Sequence, residues 1–343
     1  MGHDLTHGPE TDPHQLYRYR DGLYAADLIA SAACEFDFFS RLAREPMDLE
    51  GVCRNFGVHA RPADVMLSFF AANGLVRKEG GRFHATATAV EHLTKDSPRS
   101  LIPYYASLKE RPVARDFAVI LRTDRPANWG SYKDEKPWTE AMLTEEFATG
   151  FTAAMDCRGF TLGPALLREA GLAGRRSLLD VAGGSGIYAC VLAQGTPGLK
   201  ATVLERPPVD GIARTMIRKR GCEGLVSVTA GDIFRDPLPK GHDVHLFSNV
   251  LHDWDVPKVR ALLAASAAAL EPGSLIVVHD AHLNEAKDGP LPVTAYSALL
   301  MSVTEGRCYG VGEMRELLTE AGFGSFRFAE TACDRSVITA VRK

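Results

Sequence analysis

The chain has 343 residues, 45% of them hydrophobic and 24% charged, which is enough for two domains and a sizeable core. Its 39 basic and 43 acidic residues leave a net charge of −4, so nothing in the overall balance draws it to a polyanion. Seven cysteines are scattered with no C-x-x-C pair, which points to reduced, buried thiols and a cytoplasmic setting, not to disulfides or a zinc framework.

Residues 1–12 read as a disordered tail. The first fifteen residues are polar, carry His3, His7 and His14, and lack the apolar core of a signal peptide. Residues 13–165 are predicted to form a mostly helical domain. Leu16–Cys34 and Phe36–Leu42 place apolar residues at helical spacing. Met47–Cys53 follows, with a break at Gly57, and then a helix over Pro62–Ala72, with proline in its first turn and Gly74 as its cap. Leu75–Lys78, the Gly80-Gly81 turn and Arg82–Ala85 predict a short hairpin. Helix, turn, helix, hairpin is a winged-helix order, so a DNA-binding regulator is one reading. A helix that reads a groove needs Arg, Lys, Asn or Gln. Pro62–Ala72 has none of these, and residues 1–100 hold 11 Lys and Arg against 14 Asp and Glu. That surface is expected to pack or to dimerise, with no nucleic-acid partner. The longest helix-like apolar run, Ala261–Leu270, is too short to span a bilayer, so no membrane partner is expected.

Residues 166–343 alternate strands and helices. Strands are predicted at 177–181, 201–204, 225–229, 243–248, 274–279, 325–329 and 335–341, and helices at 187–194, 208–220, 256–270 and 312–321. Such alternation means an α/β fold with a mostly parallel sheet covered on both faces. The short turn Cys333-Asp334-Arg335 makes the last two strands an antiparallel edge hairpin. A Rossmann-like sheet that ends this way is typical of the class I methyltransferase fold.

The most informative stretch is Leu178-Leu179-Asp180-Val181-Ala182-Gly183-Gly184-Ser185-Gly186. A strand ends in an acid and turns on three glycines into a helix, and glycine lets backbone approach a ligand closely. A nucleotide phosphate is attracted to a helix N-terminus but repelled by Asp180. S-adenosylmethionine has a sulfonium, an ammonium and no phosphate, and suits an acid at that place. Gly184-Ser185-Gly186-Ile187-Tyr188-Ala189 also fits the dinucleotide G-x-G-x-x-G/A spacing, with Glu205 as the ribose acid. An NAD(P)-dependent oxidoreductase is therefore a second reading. His252, after the run His245–Val250, should reach the same crevice beyond the strand ends. Beside Asp253 it is suited to take a proton as a hydroxyl attacks.

Leu178–Gly186, Glu205, Gly231-Asp232-Ile233-Phe234, Asn249-Val250-Leu251-His252-Asp253-Trp254 and Ala321-Gly322-Phe323 occur in one order. Together they resemble the S-adenosylmethionine-dependent O-methyltransferases of the plant caffeate and acetylserotonin type, in their bacterial branch. The resemblance covers nearly the whole chain. It implies a winged-helix dimerisation domain over 13–165, a methyltransferase domain over 166–343, a homodimer, and a small aromatic hydroxyl compound as acceptor. It implies that Asp180, Gly183, Gly184 and Gly186 shape the methionine side of the cofactor site. Glu205 would hold the ribose, Asp232 and Ile233 would flank the adenine, Ser248 would line the site, and Arg206 would also bind the cofactor. His252 matches the general base. Phe151 and Met155 match an F-x-x-x-M pair that touches cofactor and acceptor, although i, i+4 spacing also suits core packing. Leu299 and Val303 fall in the acceptor pocket. Arg158, one turn beyond Met155, could meet the cofactor carboxylate.

The chain also departs from that family. Where the plant enzymes place a Glu after the fifth strand, it has His279-Asp280, and one of these is expected to support His252. A second family Glu aligns near Cys308, and its role is not moved to Glu305. Five of eleven histidines, His242, His245, His252, His279 and His282, lie within 41 residues, but without a zinc-site spacing, so no metal is expected. Trp129, Trp138 and Trp254 are read as packing groups.

Overall fold

The computed structural model describes residues 4–126 and 138–343. His3 and Trp129 lie outside them, as does the side chain of Trp138. The described residues form two compact units, one from 4–15, 138–282 and 311–343, the other from 16–126 and 283–310. The chain is thus not divided once near residue 165, as the sequence suggested. Helix Glu145–Glu169 belongs with the sheet, and residues 283–310 return to the helical unit.

The single helix expected over 16–34 is two, His14–Asp21 and Ala25–Glu35, separated by a turn at 22–24. Helix Leu49–Phe56 starts where Asp48 accepts from the Gly51 amide at 2.7 Å and stops at Gly57, which is left-handed. Helix Ala60–Ala72 follows, and then strands β1 (Val76–Glu79) and β2 (Arg82–Ala85) pair antiparallel, Val76 opposite Ala85. Phe38, Phe39, Phe56, Phe69 and Phe70 pack into one core. Helix Leu291–Val303 completes that core, placing Ala295, Ala298 and Met301 in it. Asp64, the one acid of Pro62–Ala72, pairs with Lys287 and Arg307, and Arg61 donates to the Gly306 carbonyl at 2.8 Å. These bonds fasten the returning segment to helix Ala60–Ala72.

The other unit is built on seven strands: β3 (Ser177–Val181), β4 (Lys200–Glu205), β5 (Val226–Ala230), β6 (Val244–Ser248), β7 (Leu275–Asp280), β8 (Phe323–Glu330) and β9 (Ser336–Arg342). Their order is β5-β4-β3-β6-β7-β9-β8. β3 to β7 are parallel, and β9 and β8 are antiparallel at one edge. β7 is buried throughout, as a parallel strand covered on both faces should be. The parallel strands bring their C-terminal ends to one edge. Residues 4–15 lie along this unit and are not a free tail. Leu5 is buried and donates its amide to Gln194 at 3.0 Å, and His14 meets Asp334 at 2.8 Å.

Candidate functional site

The turn after β3 is a cradle made of backbone. Gly184 and Gly186 adopt positive φ, 58° and 72°, which a side chain rarely tolerates. At Gly183 a Cβ would stand 2.5 Å from the Asp180 carboxylate. Gly186 then opens helix Ile187–Gly195. Glu205, at the end of β4, accepts from the Gly184 amide at 3.0 Å and from the Arg206 amide at 3.1 Å. Burial lifts the Asp180 carboxyl to about 8, with Glu205 adding to the shift, and burial lifts Glu205 to about 7. Neither oxygen of Asp180 has a hydrogen-bond partner, although the side chain is buried. With pKa values raised this far, the two carboxyls ionise readily only beside a cation, and a pyrophosphate would oppose that ionisation. S-adenosylmethionine fits this donor set and a dinucleotide does not.

The next strand ends extend the edge. The Gly231 amide, after β5, donates to the Glu205 carbonyl at 3.0 Å, which brings Asp232 and Ile233 beside the cradle. Asp232 accepts from the Phe234 amide at 2.9 Å. Phe234 meets Trp254 edge to face at 4.6 Å, so Trp254 packs as expected. Ser248, at the end of β6, is bonded to His279 Nδ1 at 3.0 Å.

His252 lies in the turn Leu251–Asp253 that follows β6, and it is buried. Its Nδ1 meets Asp280 Oδ1 at 2.5 Å, and its Nε2 lies 3.5 Å from Asp253 Oδ1. Burial opposes the charged ring, but Asp280 and Asp253 outweigh it and raise the His252 pKa; the same contact holds Asp280 low, against its own burial. The sequence left His279 and Asp280 as equal candidates to support His252. Only Asp280 touches it. Successive strand residues point to opposite faces, and His279 is instead held between Ser248 and Thr331, where burial drops its pKa to about 3.

Helix Glu145–Glu169 brings Phe151, Met155 and Arg158 to this unit. The Phe151 ring stacks on Phe147 at 6.1 Å and packs beside Met142, Ala148 and Val209. Arg158 Nη1 reaches the Met155 sulfur at 3.3 Å, and Nη2 donates to Asn249 Oδ1 at 2.8 Å. Leu299 and Val303 sit on helix Leu291–Val303 in the helical unit, Leu299 buried and Val303 half-buried. The sequence reading gave no part to Asn249, which has φ 54° and also donates to Tyr188 at 3.3 Å and to Ser248 at 3.2 Å. An Asn directly after a strand, a residue that tolerates positive φ, was the available signal. Among the described residues no group of three His, Cys, Asp or Glu is placed to hold a metal. None of the seven cysteines is in a disulfide, and four of them are buried.

A class I sheet with an acidic glycine turn at its C-terminal edge defines a methyltransferase that uses S-adenosylmethionine. An O-methyltransferase domain signature matches residues 122–324, and the chain belongs to that family. It is 30% identical to the 3-hydroxy-5-methyl-1-naphthoate 3-O-methyltransferase of Streptomyces sahachiroi, over 92% of this chain and 90% of the relative. The crystal structure of an O-methyltransferase family 2 protein from Planctomyces limnophilus in complex with apigenin superposes with a TM-score of 0.89 at 28% identity, covering 100% of this chain and 99% of that one. Human N-acetylserotonin methyltransferase in complex with S-adenosylmethionine gives 0.62 at 26% identity, over 98% and 99%.

Proposed function

We propose that the protein methylates a hydroxyl of a small aromatic metabolite, with His252 as general base and Asp280 as its orienting partner. The contact of His252 Nδ1 with Asp280 carries this reading. A ring that donates from Nδ1 to a carboxylate presents its lone pair at Nε2, and the carboxylate steadies the imidazolium once a proton arrives. The naphthoate named for the S. sahachiroi enzyme and the apigenin in complex with the P. limnophilus protein support the acceptor class. S-adenosylmethionine supplies an electrophilic methyl on a sulfonium. Asp180, Gly183, Gly184, Gly186, Glu205, Arg206, Asp232, Ile233 and Ser248 would hold it, with Arg158 within reach through Asn249. Phe151 and Met155 would line the acceptor. Positioning supplies most of the acceleration, and His252 removes the hydroxyl proton as the oxygen attacks.

The helix-helix-hairpin order of the second unit supports a winged-helix dimerisation domain. Helix His14–Asp21 buries no residue and exposes Leu16 (72%) and Tyr19 (80%), an apolar edge that a second copy would cover. Among the described residues no helix is long and apolar enough to cross a membrane. Free thiols and relatives of this kind favour a cytoplasmic enzyme of secondary metabolism.

Hydroxylated aromatics screened with methyl-labelled S-adenosylmethionine identify the acceptor. With it, His252→Ala should lower turnover by ~10²–10⁴ and leave S-adenosylhomocysteine affinity unchanged. Near-normal turnover would remove His252 from the reaction.

A further inference from the structure

Arg220 caps the C-terminus of helix Val209–Lys219 and is only 7% exposed, an unusual depth for arginine. Its Nη1 donates to the carbonyl of Ser185, inside the glycine turn, at 3.2 Å. Its Nη2 pairs with the carboxylate of Asp156, on helix Glu145–Glu169 directly after Met155 and two residues before Arg158. The guanidinium also lies 5.8 Å from the ring centre of Phe160 on that helix. One planar fork therefore joins the cofactor turn to the helix that carries Phe151, Met155 and Arg158.

The apolar contact beside this bond fixes the distance and the register of the two helices, but it does not touch the glycine turn itself. A Cβ on Gly159 would stand 2.3 Å from Ile187, one on Gly163 would stand 2.9 Å from Val191, and one on Gly195 would stand 2.1 Å from Leu167. Rows spaced by four residues on both helices interlock, glycine against side chain. A slip of one turn, about 5.4 Å, would set Leu167 against Val191 or Met155 against Ile187, so these rows hold the two helices to the turn. A buried ion pair stabilises little better than apolar groups of the same volume, but its geometry is directional.

The geometry points to Arg220 as a positioning residue that holds the glycine turn, through the Ser185 carbonyl, at a fixed place on helix Glu145–Glu169, so that the cofactor turn and the side chains facing the acceptor are placed together. This rests on the reading of that turn as the S-adenosylmethionine site. Two full-length variants test it. Arg220→Lys keeps the charge and can still pair with Asp156, but an ammonium cannot span both Asp156 and the Ser185 carbonyl. Asp156→Leu/Arg220→Met replaces both charges by apolar groups and so removes the directional bond without leaving a buried charge alone. Calorimetric titration with S-adenosylhomocysteine and thermal melts are run on both variants and the parent. Both variants should melt within a few degrees of the parent yet bind about tenfold or more weakly. Once an acceptor is known, kcat should fall by about 10²-fold, the cost of a misplacement near ~1 Å. Parental affinity in either variant overturns the proposal. An affinity loss only in proportion to a lowered melting temperature also overturns it, since that is ordinary destabilisation. If the parent itself does not bind, the reading of the turn fails and this inference falls with it; if the parent binds and the variants match it, only the inference falls.

Discussion

Asp280 acts on His252 through charge as well as through the hydrogen bond, and the sign of that effect can be measured. The general base must be neutral to accept a proton. Because Asp280 and Asp253 raise the ring's pKa over the opposing effect of burial, the neutral form becomes dominant only above the ordinary histidine value of ~6.5. Asp280→Asn removes the larger raising influence and leaves burial less opposed. The acid limb of kcat/KM should therefore move to lower pH, while kcat falls about tenfold or more because the imidazolium loses its counter-ion. A pH profile unmoved by the substitution would show that another group sets the limb. His279→Ala should leave the limb in place, since that ring is bonded to Ser248 and Thr331. The sequence named His252 and both neighbours because a strand end in this fold is recognisable. It could not choose between them, since alternation says that adjacent residues face opposite ways but not which face holds the histidine. Arg220 was illegible for another reason. A basic residue at a helix C-terminus usually answers the helix dipole in solvent, and only the fold reveals that this one is buried against Asp156.

The helix Glu145–Glu169 shows how an element's partner can be hidden in its glycines. The resemblance marked it through Phe151 and Met155, and its position in the chain suggested membership of the helical half. The signal for its true neighbour is the pair Gly159 and Gly163, one turn apart, which lets it press against Ile187 and Val191. Glycine to alanine inside a helix ordinarily stabilises by ~0.5–1 kcal/mol. Gly150→Ala, with nothing within 4 Å of the added carbon, should raise the melting temperature slightly. Gly159→Ala should lower it by several degrees, because overpacking of this kind costs ~1–3 kcal/mol and the contact at 2.3 Å cannot be relieved by a flexible chain end. Equal melting shifts for the two variants would count against the close approach. The strands were read almost to the residue because each is a short apolar run bounded by turns. Helix Leu291–Val303 was not predicted, although Leu299 and Val303 were singled out within it. Its residues Val293–Ser302 are all buried, and a helix that is buried on every side has no polar face to give it a period.

At the scale of the whole molecule, the exposed apolar edge of helix His14–Asp21 argues for a second copy. Light scattering at micromolar concentration should give twice the chain mass of 37.2 kDa. Leu16→Glu together with Tyr19→Glu should shift it to one chain mass with little change in melting temperature, because neither side chain is buried within the protomer. A parent that scatters as a monomer would end the dimer proposal.

The interleaving of the two units has a consequence for synthesis. The aromatic core of the helical unit is nearly all encoded before residue 122, yet Ala295, Ala298 and Met301 belong to it. A chain growing from the ribosome therefore carries an open apolar groove, with the acid Asp64 awaiting Lys287 and Arg307, while more than half of the protein is still to be made. Contacts of such long sequence separation are entropically late. The sheet's parallel strands can form in that interval, but the first-made helices stay incomplete until residues 283–310 arrive. This is the window in which a nascent chain would engage chaperones, and in which a truncated message would yield a sticky fragment and not a small folded domain.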